Sequence, residues 1–383
     1  MLQRLVRIVS FRRGLCKAPT ITGAVLACGL SAGLSVSSSI ARASEGKEAA
    51  ADPAPSSTDD AAMQYAQRRV ATDSPFRVLD DPMRPRSDIL MPTFSFFLPG
   101  LDQWWEGQSL YGGIYTGVAF AGATYASAIA RANENELNPD KESDATGQAE
   151  GEDDDAEDES GRIDAKGIAA RKVMLGGLLY QGSGGMSSWH SFRTAVRTRS
   201  ASGQYSFLVR EETPAEVMLA PLNYRYLTRT TTLVPLGIGA AIAALILRSP
   251  PPEDMERAPF TGADAFFTTA FSWNAATHEE AMFRGWIMPV MAEYWDSPLL
   301  ANVVQSVVFA AAHLNTNPTP LPQLLLGYHL GYVTQRDRWT IGEAVFIHHW
   351  WNVMAFATIW HFRDRKDPAA LPPFWLPPLD ISF

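Results

Sequence analysis

Two acidic residues and one arginine interrupt a long uncharged stretch in the second half of the sequence. From Ala265 to Ala292 the formally charged side chains are Glu279, Glu280 and Arg284. A helix of this length would extend about 42 Å, whereas the hydrocarbon core of a bilayer is about 30 Å thick. These side chains are therefore predicted to lie at or near membrane depth, where ionisable residues usually mark a functional site.

The spacing of the three charged residues assigns different tasks to the two carboxylates. Side chains four positions apart share a helical face, whereas consecutive side chains point about 100° apart. Arg284 is therefore predicted to pair with Glu280, which leaves Glu279 to face another direction. The alternative is a structural ion pair beside a satisfied neighbour, with no chemical role.

Two further pairs with helical spacing occur later in apolar segments. Phe309 and His313 are four positions apart, and so are His348 and Asn352. Glutamate and histidine can share a water and accept its proton, and histidine and asparagine can donate hydrogen bonds to an oxyanion. If the helices that carry these pairs converge, the sequence predicts a hydrolytic site with no serine or cysteine nucleophile.

The three motifs EExxxR, FxxxH and HxxxN, in this order on successive hydrophobic helices, carry a family resemblance. They resemble the motifs of the CAAX-protease and bacteriocin-processing family of intramembrane proteases, which includes the type II CAAX prenyl endopeptidases. The resemblance extends over roughly residues 260–362 of the 383 in the chain. It implies an intramembrane endopeptidase of the glutamic type that acts on a peptide or protein substrate, with membrane-associated substrates included.

The same resemblance implies a role for each motif residue. Glu279 and His313 would activate the water, while His348 with Asn352 would stabilise the oxyanion. Arg284 would be structural or would orient a carboxylate. Glu280 and Phe309 complete the predicted site, as the carboxylate placed to pair with the arginine and as a supporting residue.

Two other functions remain open. The helical zinc-protease motif HExxH needs a second histidine, and although His278 and Glu279 begin such a pattern, Met282 stands in that place. Glu279, His313 and His348 could still hold zinc, so zinc is the alternative to having no cofactor. The other possibility is a non-catalytic membrane scaffold or immunity protein of the same fold, in which the polar pairs join helices.

The predicted fold is all-α, a polytopic membrane helix bundle with about six to eight spans and disordered tails. Only helices or closed barrels satisfy the backbone polar groups in lipid, and the apolar runs have the length of helices. Two of these runs are Leu110–Ala130 and Thr230–Leu247. The uncharged run from Ser297 to Gln335 is divided by a proline-containing turn into two helices, and the second helix contains the close-packing pattern GxxxG.

The N-terminus has the order of an export signal. Basic residues precede a stretch of apolar and small residues that ends in Ala41-Arg42-Ala43, a pattern typical of signal-peptide cleavage; an uncleaved anchor is the alternative. A cleaved signal would place the protein in a bacterial inner membrane as a multi-pass protein. The 2 cysteines, Cys16 and Cys28, lie in this segment, so cleavage would leave no thiol for a disulfide or a nucleophile.

The remaining segments differ in composition. The net charge of −9 is dominated by Glu134–Asp164, so the total does not identify a partner; the lipid bilayer is an expected partner and nucleic acid is not. Thr213-Pro214-Ala215-Glu216 predicts a helix start, followed by an amphipathic helix.

These observations divide the chain into seven predicted segments. The predicted organisation is residues 1–43 as signal peptide or anchor, 44–88 as disordered tether, 89–132 as interfacial segment and membrane helix, 133–165 as acidic disordered linker, 166–259 as membrane and amphipathic helices, 260–362 as protease domain, and 363–383 as Pro-rich tail.

Overall fold

Five stretches of the chain are described by a computed structural model, namely residues 86–134, 156–201, 212–251, 253–314 and 320–364. They all lie within one compact unit, Gln64–Phe383. The predicted signal or anchor with both cysteines lies outside the described residues. So do nearly all of the predicted tether, the centre of the acidic linker and most of the Pro-rich tail.

Helices form most of the described part of the chain. In chain order they are α1 (Met91–Phe97), α2 (Leu101–Trp105), α3 (Ser109–Ala132), α4 (Ala156–Ala201), α5 (Pro214–Leu219), α6 (Thr230–Arg248), α7 (Gly262–Met282), α8 (Met288–Trp295), α9 (Pro298–Ala312), α10 (Leu321–Arg336) and α11 (Gly342–Trp360). Two π-helical turns, Arg86–Leu90 and Phe283–Ile287, precede α1 and α8, and two 3₁₀ turns, Ala220–Leu222 and Tyr224–Thr228, follow α5.

The predominantly helical fold is therefore confirmed, with one small departure among the described residues. Strand β1 (Met255–Arg257) pairs antiparallel with strand β2 (Phe362–Asp364). The pairing joins the chain before α7 to the chain after α11, so it fixes both ends of the helical segment that carries the motifs. It also places the start of the predicted Pro-rich tail in a short strand.

Capping residues set the starts of two helices. At α5 the Thr213 side chain accepts from the Glu216 N–H while the Glu216 carboxylate accepts from the Thr213 N–H, so this predicted helix start is confirmed. The helix that follows is short, because α5 ends at Leu219 and Pro221 occupies the following 3₁₀ turn. Proline has no N–H to continue an α-helix.

Helix α4 differs most from the sequence prediction. A disordered linker was expected to extend to residue 165, but α4 begins at Ala156 and runs for 46 residues. The first part of α4 is rich in alanine, glutamate, arginine and lysine, all of which have high helix propensity. Polar composition therefore gave the wrong boundary for the linker.

The close contact between α3 and α4 depends on two glycines that face each other. A Cβ atom on Gly176 would lie 2.5 Å from the Gly122 carbonyl oxygen and 2.7 Å from the Ala126 Cβ. A Cβ on Gly122 would lie 2.6 Å from the Gly176 carbonyl oxygen. Only the absence of both side chains lets the two backbones come this close, as in small-residue packing of membrane helices.

The GxxxG pattern in α10 packs against the neighbouring motif helices. A Cβ on Gly327 would lie 3.1 Å from Arg284 Nη2 and 3.2 Å from the Phe309 ring. A Cβ on Gly331 would overlap the Asn302 amide. The two glycines therefore bring α10 against α9 and against the arginine of the first motif, as the pattern predicted.

The apolar core surrounds the same region. Phe283, Trp286 and Met288, from the end of the first motif helix onward, pack in one buried cluster with Phe309 of α9 and Phe192 of α4. Among the described residues, the polar motif residues thus lie beside the largest cluster of buried apolar side chains. The packing of this cluster fixes the helices that position them.

The number of membrane spans is not confirmed. Within the described residues, Thr230–Arg248 is the helix that is long and apolar enough to cross a membrane by length and composition. Helices α9 and α10 have 15 and 16 residues, and at 1.5 Å per residue they are shorter than a hydrocarbon core of about 30 Å. Helices α7 and α11 are longer but carry the polar motif residues, which lower their hydropathy.

We expect Gly176→Ala to destabilise the protein and Gly177→Ala to leave it unchanged or slightly stabilised. The new methyl at position 176 would overlap α3, and overpacking of this kind costs about 1–3 kcal/mol. A Cβ on Gly177 has no atom within 4 Å, while alanine favours a helix by about 1 kcal/mol over glycine. Thermal unfolding in detergent measures both variants, and equal effects would contradict the close contact.

Candidate active site

A widened helical turn carries the arginine of the first motif. Glu279 and Glu280 lie in the last turn of α7, and Arg284 follows in the π-helical turn Phe283–Ile287. Pro289 stands just beyond this turn, and because proline has no N–H it cannot bond to the carbonyl four residues earlier. Such widened turns occur frequently at functional sites.

The buried arginine bonds to two neighbouring elements. Arg284 Nη1 donates to Glu280 Oε1 at 2.9 Å, and both side chains have 0% solvent exposure. Arg284 Nη2 donates to the Gly327 carbonyl of α10 at 3.2 Å. The pairing predicted from the four-residue spacing is therefore present, and it joins α10 to α7.

The Phe309 ring lies between the arginine and both motif histidines. The Arg284 guanidinium carbon is 4.2 Å from the centre of this ring, which gives a cation–π contact. The centres of the His313 and His348 rings are 4.6 and 5.9 Å from it. Phe309 thus supports three of the predicted site residues, and its own side chain is 2% exposed.

His348 lies between the two carboxylates of the first motif. Its Nδ1 is 2.7 Å from Glu280 Oε1, the same oxygen that accepts from Arg284. Its Nε2 is 3.7 Å from Glu279 Oε2. Because a carboxylate paired with a guanidinium accepts hydrogen bonds, Nδ1 donates to Glu280 and the other ring nitrogen is directed toward Glu279.

His313 is held in a similar way at the end of α9. Its Nδ1 is 2.7 Å from the Phe309 carbonyl oxygen, which can only accept, so Nδ1 donates there. Its Nε2 is 3.9 Å from Glu279 Oε2. The backbone bond therefore leaves Nε2 of His313, like that of His348, facing the same carboxylate oxygen.

Glu279 is the point at which the three motif helices meet. Its Oε2 is buried and forms no hydrogen bond with any described residue, although the side chain as a whole is 18% exposed. Distances of 3.7 and 3.9 Å to the two histidine nitrogens are longer than direct hydrogen bonds. A water can bridge a carboxylate and an imidazole at such separations. The arrangement can therefore activate a water.

Asn352 lies one turn after His348 on α11 and is half-buried. Its side chain makes no hydrogen bond with another residue in the described part of the chain. Unlike Glu280, Arg284 and both motif histidines, it is therefore not fixed by a partner. An amide in this state is available to a ligand.

Two other histidines have structural partners. His278 Nδ1 donates to the Asn274 carbonyl oxygen one turn earlier in α7, at 2.7 Å. His329, within the GxxxG pattern, donates from Nε2 to the Thr231 carbonyl oxygen at 2.8 Å. The second bond ties α10 to the start of α6.

Glu279, His313 and His348 are the residues here whose types suit zinc. Carboxylate oxygen and imidazole nitrogen are ordinary zinc donors, and an Nδ1 already bonded to a carbonyl or carboxylate is typical of zinc-binding histidines. Among the described residues, however, no group of three or more His, Cys, Asp and Glu side chains is arranged to hold a metal ion.

The Gly327 carbonyl is a site feature that the sequence analysis did not assign. It accepts from Arg284 Nη2 and also from Gln305 Nε2, each at 3.2 Å. Gln305 further donates to Asn302 Oδ1 at 2.9 Å. The GxxxG pattern indicated close approach at this position, but a backbone acceptor has no side-chain signature by which its partner could be predicted.

Comparison with known proteins places a family on this segment. Residues 261–354 match the family model described as type II CAAX prenyl endopeptidase Rce1-like. This is an Rce1-like segment. It contains α7 to α10 and most of α11, and therefore all of the motif residues, so the family predicted from the three motifs is confirmed. No curated protein and no solved structure matches the chain significantly.

The match supports a membrane protein with the general character of a protease. Rce1-like proteins are membrane-embedded helix bundles, and their general activity is that of a CAAX-protease-like endopeptidase. The Rce1-like segment covers only the C-terminal part of the described chain. Helices α1 to α6 lie outside it.

We expect Arg284→Ala to destabilise the protein by about 3–5 kcal/mol, because the Glu280 carboxylate would then be buried without its cation. The double variant Glu280→Gln/Arg284→Met removes both charges and is expected to recover much of this loss. Thermal unfolding in detergent gives the comparison, with Arg336→Ala, at an exposed arginine, as the control. If the double variant were less stable than Arg284→Ala, the uncompensated charge would not be the cause.

Proposed function

We propose that this chain is an intramembrane endopeptidase that hydrolyses a peptide bond with a water activated by Glu279 and His313. The observation that carries the proposal is the convergence of both motif histidines on one carboxylate oxygen, at 3.9 Å for His313 and 3.7 Å for His348. The family match to the same segment supports it. The substrate is a peptide or protein, which would reach the site from the bilayer or its surface.

In the proposed reaction Glu279 is the general base. It accepts the proton of the water as the water oxygen attacks the substrate carbonyl, and it later gives this proton to the leaving amine. His313 donates from Nδ1 to the Phe309 carbonyl, so its Nε2 can accept a hydrogen bond from the same water. The nucleophile is the water, and no covalent intermediate with the enzyme forms.

His348 and Asn352 are proposed to stabilise the oxyanion of the tetrahedral intermediate. His348 would donate to Glu280 from Nδ1 and to the oxyanion from Nε2, which requires both ring nitrogens to carry a proton. The Asn352 amide, which no described residue engages, supplies a second donor one helical turn away. Preorganised donors of this kind usually contribute about 100- to 1000-fold to the rate.

The two carboxylates have different roles in this proposal. Glu280 is bonded to Arg284 and to His348, so it orients the second histidine and balances the buried arginine. Glu279 Oε2 has no such partner among the described residues. We therefore assign the water to Glu279.

A zinc-dependent protease is the second candidate. The favouring observation is that His313 and His348 both direct Nε2 toward Glu279 while their Nδ1 atoms are engaged. Zinc held by these three residues would supply a Lewis acid for the water and the substrate carbonyl. In that case Glu279 would be a ligand rather than the base. Against this candidate, the described residues form no group arranged to hold a metal ion.

The decisive variants are Glu279→Gln and Glu280→Gln. We expect Glu279→Gln and His313→Ala to lose at least about 100-fold in turnover with unchanged thermal unfolding, because the base is removed without disturbing the arginine. Asn352→Ala should fall about 100- to 1000-fold and stay measurable. Glu280→Gln should lower stability as well as activity.

The first measurement compares the peptide termini found in membranes of cells that make the active protein with those in cells that make the Glu279→Gln variant. A substrate identified in this way is then used to measure turnover by each purified variant. Glu106→Gln, at an exposed carboxylate, is the control. A stable Glu280→Gln variant without turnover, together with an active Glu279→Gln variant, would reverse the assignment of the two carboxylates. If no cleaved terminus depended on Glu279, the non-catalytic scaffold would be the better explanation.

Metal dependence is tested separately on the purified protein. We expect chelators to leave turnover unchanged, because the proposed reaction needs only side chains and water. Elemental analysis of the same preparation gives the zinc content per chain. Loss of turnover on chelation and its return with added zinc would establish the metalloprotease instead.

A further inference from the structure

The helix that carries His348 and Asn352 has no side-chain cap of its own. Helix α11 begins after Ile341, whose side chain offers no hydrogen bond. The first N–H groups of a helix lack partners within the helix and need an acceptor from elsewhere. Here the acceptor comes from a residue that is distant in the sequence.

Glu212 supplies both hydrogen bonds. Its Oε2 accepts from the Ile341 N–H and its Oε1 from the Gly342 N–H, each at 2.9 Å. The Glu212 side chain is buried, with 8% exposure. A carboxylate at a helix N-terminus also interacts favourably with the helix dipole. One side chain therefore fixes two adjacent backbone groups at the start of α11.

The surroundings of Glu212 fit this task closely. A Cβ on Gly342 would lie 3.0 Å from Glu212 Oε1 and 2.5 Å from Tyr226 Oη, so a side chain at this position would crowd both groups. Burial raises the pKa of Glu212 above its ordinary value, while the bond from Ile341 and the charge of Arg193 act in the opposite direction.

A second carboxylate ties the same turn to another helix. Glu343 accepts from Thr231 Oγ1 at 2.5 Å and from Thr232 Oγ1 at 3.0 Å, and it pairs with Arg229. These residues stand at the start of α6. The first turn of α11 is therefore held from two sides, by Glu212 through its backbone and by α6 through Glu343.

The start of α11 sets the place of the catalytic histidine. His348 is six residues after Gly342 on a continuous helix, about 9 Å along the axis. Its ring must meet Glu280 at 2.7 Å while it faces Glu279 at 3.7 Å. A small rotation or translation of α11 would break this fit, and a misplacement of about 1 Å in an active site can cost about 100-fold in rate.

We propose that Glu212 is a positioning residue of the proteolytic site, because its carboxylate fixes the start of α11 and thereby the depth and rotation of His348 and Asn352. The proposal rests on the proposed function. Glu212 lies outside the segment that matches the family model. In this proposal the chain before α6 contributes to catalysis by positioning α11, although Glu212 does not touch the substrate.

The test uses Glu212→Gln in the full chain. A glutamine oxygen can accept only one of the two bonds well, and its NH2 group opposes the other N–H. We expect faster amide hydrogen exchange in the first turn of α11, and a kcat about 10- to 100-fold lower with KM nearly unchanged. Gly342→Ala, which keeps Glu212 but displaces its carboxylate, should give the same pattern if Glu212→Gln does not fold.

Glu106→Gln is the control, because it makes the same change at an exposed carboxylate far from the start of α11 in the sequence. It should change neither the exchange of α11 nor kcat. Unchanged exchange at the start of α11 in Glu212→Gln would overturn the cap, and faster exchange with unchanged kcat would overturn the positioning role. The exchange measurement needs no substrate. An absence of proteolysis in the unaltered protein would therefore count against the proposed function, separately from the cap.

Discussion

The buried guanidinium of Arg284 is the constraint on which the rest of the candidate site depends. A cation with 0% exposure must be balanced where it lies, because leaving a buried charge unpaired costs several kcal/mol. Glu280 supplies the charge, the Gly327 carbonyl supplies a further acceptor, and the Phe309 ring covers the guanidinium face. One side chain thus requires three helices to meet at a defined spacing.

This constraint separates the roles of two adjacent carboxylates. Glu280 is held by Arg284 and His348, and consecutive side chains diverge by about 100° on a helix. Glu279 must therefore face away from the ion pair, where the Nε2 atoms of His313 and His348 point toward it. The order of the site follows from helix geometry once the position of the arginine is fixed.

Sequence reasoning succeeded where partners lie within one turn of a helix and failed where they come from distant segments. The Arg284–Glu280 pair and the α5 capping box follow from local spacing. The hydrogen bonds from the start of α11 to Glu212 join residues more than a hundred positions apart, and no local sequence pattern predicts them. The length of α4 was missed because polar composition indicated disorder while helix propensity favoured a helix. The number of spans stays a prediction.

The Rce1-like segment does not form its site alone, because α4 fits against it at positions where no side chain is tolerated. A Cβ on Gly185 of α4 would lie 2.8 Å from the His278 carbonyl oxygen, directly before Glu279. In turn, a Cβ on Gly285, directly after Arg284, would overlap the Trp189 ring of α4. The backbone of α7 thus packs against Gly185, and the Trp189 ring of α4 packs against Gly285. In the sequence, one contact precedes the two carboxylates and the other follows them. The position of the first motif therefore depends on a helix outside the family match as much as on the motif helices themselves.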